Sequence, residues 1–280
     1  MLPNNRAFVA PALVILVLGS AVSIAQTAQK NQEPNKRNPQ GRVNTQQSVV
    51  VEAHLTPEES EEGKINDLYQ PIYAMQQHDC QGAVEKYRTV VIPAAEQAKF
   101  EVPKTKFLFL AYRGIGDCDL ASGHFAEAEV IFQKLFEYLP VWPSTDDSDY
   151  PINYRSIGLA RMGQQRWKDA EEPLDKAVSI FDDQIGRAAK SDQDVVGNQM
   201  ANAYRMSQDQ ALNLLAVVYA REQRYPEALA LLERAYNQAI KFQAPASVLK
   251  QIVDNGRAIS TGIGSDDASA KWSQRSVTSN

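Results

Sequence analysis

The stretch GHFAEAEVIFQKLFEYLP, residues 123–140, places Phe125 three residues before Ala128, with Phe132 four, Leu135 seven and Pro140 twelve residues after it. The same offsets return further along. In NYRSIGLARMGQQRWKDAEEPLDKAV they fall on Trp167, Ala170, Leu174 and Ala177, and in LNLLAVVYAREQRYPEALALLERAY on Tyr225, Ala228, Leu232 and Ala235. A weaker copy, YAMQQHDCQGAVEKYRTVV, offers Ala83, Tyr87 and Val90. Twelve residues upstream of the three stronger anchors stand further small residues: Gly116, Gly158 and Ala216.

Spacings of three, four and seven are those of one helix face, so each copy reads as a helix, a turn and a second helix. A small residue on the first helix (Gly116, Gly158, Ala216) and one on the second (Ala128, Ala170, Ala228) let two antiparallel backbones approach closely. Larger side chains fill the grooves around them. The aromatic before each anchor alanine begins the second helix and packs over the turn. One hairpin of this kind cannot bury its apolar faces alone, so the copies must stack.

On these residues the chain resembles the tetratricopeptide repeat family over about residues 64–240. The resemblance implies an all-α, superhelical solenoid of about four helix hairpins. The anchor alanines 83, 128, 170 and 228 lie 45, 42 and 58 residues apart, longer than the family's period of about 34. The extra length implies longer helices and loops. VPK at 102–104 and PVWPSTDDSDYP at 140–151 read as such loops, and Pro173 predicts a kink in its helix. PASVLKQIVDNGRAIS carries Val248, Ile252, Val253 and Ile259 at helical spacing and resembles the end helix that closes such arrays.

The flanks divide the chain further. MLPNNRAFVAPALVILVLGSAVSIAQ has one arginine, an apolar run and small residues at Ser23 and Ala25, the pattern of an export leader cleaved after Ala25. A retained anchor is the alternative, although the run is short for a spanning helix. Membrane contact follows only if this segment is kept. Residues 26–55 are polar with little to bury, a disordered linker. Thr56, Pro57 and Glu59 form a helix-start signal, opening a helical domain over 56–260. Residues 261–280 lose helical periodicity and read as a flexible tail. The expected location is outside the cytoplasm, periplasmic or secreted.

A formal charge of −5 argues against a nucleic-acid binder, which needs a basic surface. No His–Glu zinc motif, nucleophile elbow or catalytic triad is present, so no enzyme activity and no cofactor are expected. His78 and His124 lie near Cys80 and Cys118 in sequence, but the spacings match no zinc pattern. The two cysteines leave two readings open: a disulfide between adjacent copies, or two separate buried thiols.

The family resemblance also implies a function, the binding of a protein or peptide partner in a concave groove lined by the first helices. In this sequence the groove positions are Arg113, Asp117, Leu120, Arg155, Leu159, Met162, Asn213 and Val217. Chaperone-binding members hold a chain-terminal carboxylate with a lysine–asparagine clamp. The matching places here hold Arg113 with Asp117 and Arg155 with Leu159, which does not support that role. The expected function is therefore an exported, non-catalytic scaffold for an envelope partner. The alternative is a small-ligand receptor or an accessory subunit that uses the enlarged 178–210 region.

Overall fold

Thr56 begins the first helix by a reciprocal cap: its hydroxyl accepts the Glu59 N–H at 3.2 Å, and the Glu59 carboxylate accepts the Thr56 N–H at 2.7 Å. The computed structural model describes residues 55–140, 148–190 and 195–275. The expected leader and nearly all of the expected linker lie outside them, as does most of the loop expected at 140–151.

Among the described residues every regular element is helical. Helix α1 (Pro57–Gln76) pairs with a rod made of α2 (Cys80–Lys86), a wide π turn over Tyr87–Val91 and α3 (Ile92–Glu96). The wide turn precedes Pro93, which has no N–H to donate into the helical ladder. There follow α4 (Glu101–Ser122) with α5 (Phe125–Leu135), α6 (Asp149–Gly163) with α7 (Trp167–Lys190), and α8 (Val195–Arg221) with α9 (Tyr225–Lys241). Finally come α10 (Ala246–Gly262) and α11 (Asp266–Ser273). Each helix packs on its neighbours in the chain, which gives a helical, solenoid-like stack with its apolar core between the two layers.

The turns within the three stronger copies share one construction. Gly123, Gln165 and Gln223 take positive φ of 80°, 61° and 63°, each five residues before the anchor alanine. The next residue's N–H closes the helix end: His124 to Asp119 O, Arg166 to Arg161 O and Arg224 to Tyr219 O, at 2.8–2.9 Å. The turn aromatic then leans on the following copy. Phe125 lies against Gly163, and Trp167 stacks on the Arg221 guanidinium at 5.0 Å.

The glycines of the first helices are pressed by the large residue one turn beyond the anchor alanine, a closer neighbour than the alanine itself. A Cβ on Gly116 would meet the Phe132 ring at 2.9 Å, and one on Gly158 would meet Leu174 Cγ at 2.6 Å. Both pairs are sixteen residues apart, and the same interval joins Gly256 to Trp272, whose indole comes closer still. Over its described residues, 261–275, the C-terminal segment therefore corrects the expectation of a flexible tail over 261–280, and residues 276–280 lie outside the described residues. Residues 266–273 are helix α11, capped by Ser265 and docked through the buried Trp272. Its own weak periodicity hid it, because one large tryptophan supplies most of the buried surface.

A second correction concerns VPK at 102–104, which belongs to the first turn of α4. Proline is tolerated there because first-turn N–H groups have no partner within the helix. Pro173 stays inside α7 without ending it.

Charged ties join successive copies. Glu129, 7% exposed, receives Arg161 Nε and Arg166 Nη1, each at 2.7 Å, and Gln164 Nε2 at 2.8 Å. One copy further on, Glu171 receives Arg224 at 2.6 Å. In both cases the acid follows an anchor alanine and the arginine precedes the next turn aromatic. Burial alone would raise the Glu129 carboxyl, but the bonds from Arg161 and Gln164 and the charges of Arg161 and Arg166 outweigh it and hold it below its ordinary range.

Candidate partner-binding face

The first helices α1, α4, α6, α8 and α10 contact one another in part, α1 with α4, α6 with α8 and α8 with α10. On that side the structure gathers Arg113 and Asp117 from α4, Arg155 from α6 and Gln210 from α8. Arg113 and Asp117 face each other one helical turn apart, with Nε 3.5 Å from Oδ1. Their side chains are 19% and 26% exposed, so the pair sits in a recess open to solvent. The Arg113 guanidinium lies 5.9 Å from the centre of the Phe132 ring, the ring that also presses on Gly116. Arg155 reaches across to α8 and donates to Gln210 Oε1.

The electrostatics follow from this crowding. Burial pulls the Arg155 guanidinium down to about 10, and the neighbouring Arg113 charge adds to the fall while Asp117 opposes it. Burial raises the Asp117 carboxyl, with Arg113 and Arg155 pulling the other way. Arg113 Nε is buried and makes no hydrogen bond.

Leu120 and Leu159 are also half-buried on these helices. The remaining three positions assigned to a groove are not on a surface. Met162, Asn213 and Val217 are 1%, 3% and 3% exposed, which corrects their assignment. Met162 and Val217 belong to the apolar core shared by the later copies. Asn213 accepts a hydrogen bond from Asn255 of α10 at 2.9 Å. The C-terminal hairpin covers α8 at this point, and a pattern read one copy at a time could not register that cover.

Cys80 and Cys118 are joined in a disulfide with Cα atoms 5.4 Å apart. Cys80 occupies the turn-aromatic place of the first copy, so here a covalent bond stands where the next copies use ring packing. His124 is exposed beside Asp119, with Nδ1 3.6 Å from Oδ1. Among the described residues no group of three or more His, Cys, Asp or Glu side chains is placed to hold a metal ion. No helix among them is long and apolar enough to cross a membrane.

The described residues of the enlarged 178–210 region belong to the end of α7 and the beginning of α8. Its described interior carries polar ties that no sequence motif announces. Gln208, fully buried, donates to Val178 O at 3.3 Å and Asp182 Oδ1 at 2.8 Å. Gln238 of α9 donates to Asp209 Oδ1 at 2.9 Å. Burial pushes the Asp209 carboxyl up to about 8, with the Gln238 bond and the Arg234 charge working against the rise.

The class that the fold of the described residues defines is a helical protein with repeat-like packing. No family model matches the chain, and no curated protein matches it. Among solved structures it is similar to BtubC (BKLC) from P. vanneervenii, at 13% identity and a TM-score of 0.54, over 78% of this chain and 88% of that one. At that identity the likeness is one of fold.

Proposed function

We propose that this chain is an exported tetratricopeptide-repeat adaptor without catalytic chemistry. It holds a protein or peptide partner of the cell envelope in a concave trough formed by its first helices. The reading rests on the anchor pattern around Ala128, Ala170 and Ala228, whose small residues leave room for close helix pairing. Stacked hairpins of this kind offer an extended surface for a peptide or a partner's helix. The single observation that carries it is the recess holding Arg113, Asp117 and Arg155, charged groups half-buried on the successive first helices α4 and α6. Export rests on the apolar leader and its small residues at Ser23 and Ala25. A cleaved leader leaves the protein periplasmic or secreted, and a retained one ties it to the membrane.

Site-specific photo-crosslinking in the native envelope tests this. A crosslinker at Leu159, on α6, should capture a discrete protein adduct. One at Val130, exposed on the second-layer helix α5, should not. Adducts from Val130 alone, or none from Leu159, would overturn the proposal.

A further inference from the structure

Several arginines that tie one copy to the next are matched by carboxylates. Arg161 and Arg166 share Glu129, and Arg166 has Asp169 as a second acid; Arg224 has Glu171, and Arg275 has Glu233. At the α4–α6 recess two guanidinium groups share one carboxylate. That carboxylate, Asp117, stands 3.5 Å from Arg113, beyond an ordinary charge-assisted hydrogen bond. Arg155 has the neutral Gln210 as its hydrogen-bond partner, and Arg113 Nε is buried without one. The recess is thus one negative charge short and keeps an unused buried donor.

Building on the partner-binding reading above, we infer that Arg113 and Arg155 receive a side-chain carboxylate, a glutamate or aspartate within an extended acidic segment of the partner. Guanidinium groups present planar forks that match a carboxylate, and partial burial strengthens the attraction relative to open water. A carboxylate set between the two arginines relieves their mutual repulsion and supplies the missing charge. Leu120 and Leu159 flank the recess on the same helices and give apolar footing to the segment's neighbouring residues. A polyphosphate backbone fits poorly, because the whole chain is acidic and offers one cationic recess here rather than a basic stripe. Asp117 opposes the incoming acid and sets how tightly it is held.

The test uses the chain with a fluorescein-labelled peptide of alternating glycine and glutamate, amidated at its C-terminus, read by fluorescence anisotropy. The glutamine version, a glycine peptide with a free C-terminal carboxylate, and inorganic phosphate as competitor complete the set. The amidated acidic peptide should bind and the glutamine version should not. Arg155→Gln or Arg113→Gln should weaken binding by about tenfold or more, as expected for loss of a partly buried charge pair. Arg155→Lys, which keeps the charge and loses the fork, should fall between. Asp117→Asn should tighten binding several-fold, a reversal that general damage to the fold would not produce.

No binding of the acidic peptide at millimolar concentration would sink the inference. So would equal binding of the glutamine peptide, binding only of the free-carboxylate peptide or of phosphate, or weaker binding by Asp117→Asn. Should crosslinking from Leu159 succeed while the acidic peptide fails to bind, this inference falls and the adaptor reading stands.

Discussion

Leu174 rests on Gly158 so closely that a methyl group at position 158 would lie 2.6 Å from its Cγ, inside any permitted carbon–carbon contact. Helix propensity alone favours alanine over glycine by about 1 kcal/mol, so the sign of a Gly→Ala change reports the local room. At Gly63, mid-helix in α1 with nothing within 4 Å of an added Cβ, alanine should stabilise by about 0.5–1 kcal/mol. At Gly158 it should destabilise by about 1–3 kcal/mol through overpacking. Adding Leu174→Ala should recover part of that loss in a double-mutant cycle. Thermal or urea melts that move the same way for both glycines would contradict the packing described.

Glu129 ties three side chains of the next copy, and its carboxyl is held below its ordinary value. A depressed acid stabilises above the unfolded pKa, about 4.3 for glutamate, and the contribution fades as the pH falls through the lower folded value. Glu129→Gln should therefore cost about 2 kcal/mol at pH 7, typical of bonds to a charged group. The cost should be smaller at pH 3 than at pH 7, because protonation of the carboxylate removes the ion pair. Urea titrations of both proteins at the two pH values measure it, and a difference unchanged by acid would remove the ion pair as the cause.

Asp209 behaves in the opposite sense. Its carboxyl is 1% exposed and titrates at about 8, above the unfolded value of about 3.9. Between those two values the folded state holds a proton that the unfolded state has released, so raising the pH favours unfolding. Stability on this account is greatest below about pH 4, falls as the pH rises through the interval to about 8, and is level beyond it. An asparagine side chain cannot ionise and can still accept from Gln238. Asp209→Asn should flatten the slope between pH 4 and 8 and leave the protein more stable above pH 8, by on the order of 2 kcal/mol. Parallel pH–stability curves for the two proteins would count against a buried titrating carboxyl.

The helix hairpins were legible because their signal is local. Phe125, Ala128 and Phe132 lie close together in the chain and mark one face of one helix. Thr56 and Glu59 were legible for the same reason, since a cap is made by residues three apart. The site was only partly legible. Arg113 and Asp117 are one turn apart and could be paired by eye, but Gln210 lies 55 residues beyond Arg155, and no spacing rule brings them together. Met162, Asn213 and Val217 have the period of an open face, yet burial depends on what the rest of the chain lays over them. Asn255 and its helix decide that for Asn213. Trp272 taught the converse, for a short helix with little periodicity is ordered by a single large contact on Gly256. The Glu129–Arg166 and Glu171–Arg224 ties were visible in principle, since each acid sits one residue after an anchor and each arginine one before the next turn aromatic.

The Cys80–Cys118 bond ties the copy with the poorest pattern, where Pro71 takes the place that Gly116 and Gly158 hold elsewhere, to α4 of the next copy. It closes a loop of 38 residues that includes α2, α3 and most of α4, and a bridge over such a loop contributes about 2–4 kcal/mol. Because the copies contact mainly their neighbours, that loss should be local. Replacing both cysteines by serine should speed amide hydrogen exchange across α1, α2 and α3. Exchange in α9 and α10, at the other end of the stack and held by Trp272 and Leu249, should stay as it was. Hydrogen-exchange mass spectrometry resolves the two ends in one experiment. Uniform acceleration from end to end would mean that the whole array opens as one unit, and the nearest-neighbour account of its stability would have to be given up.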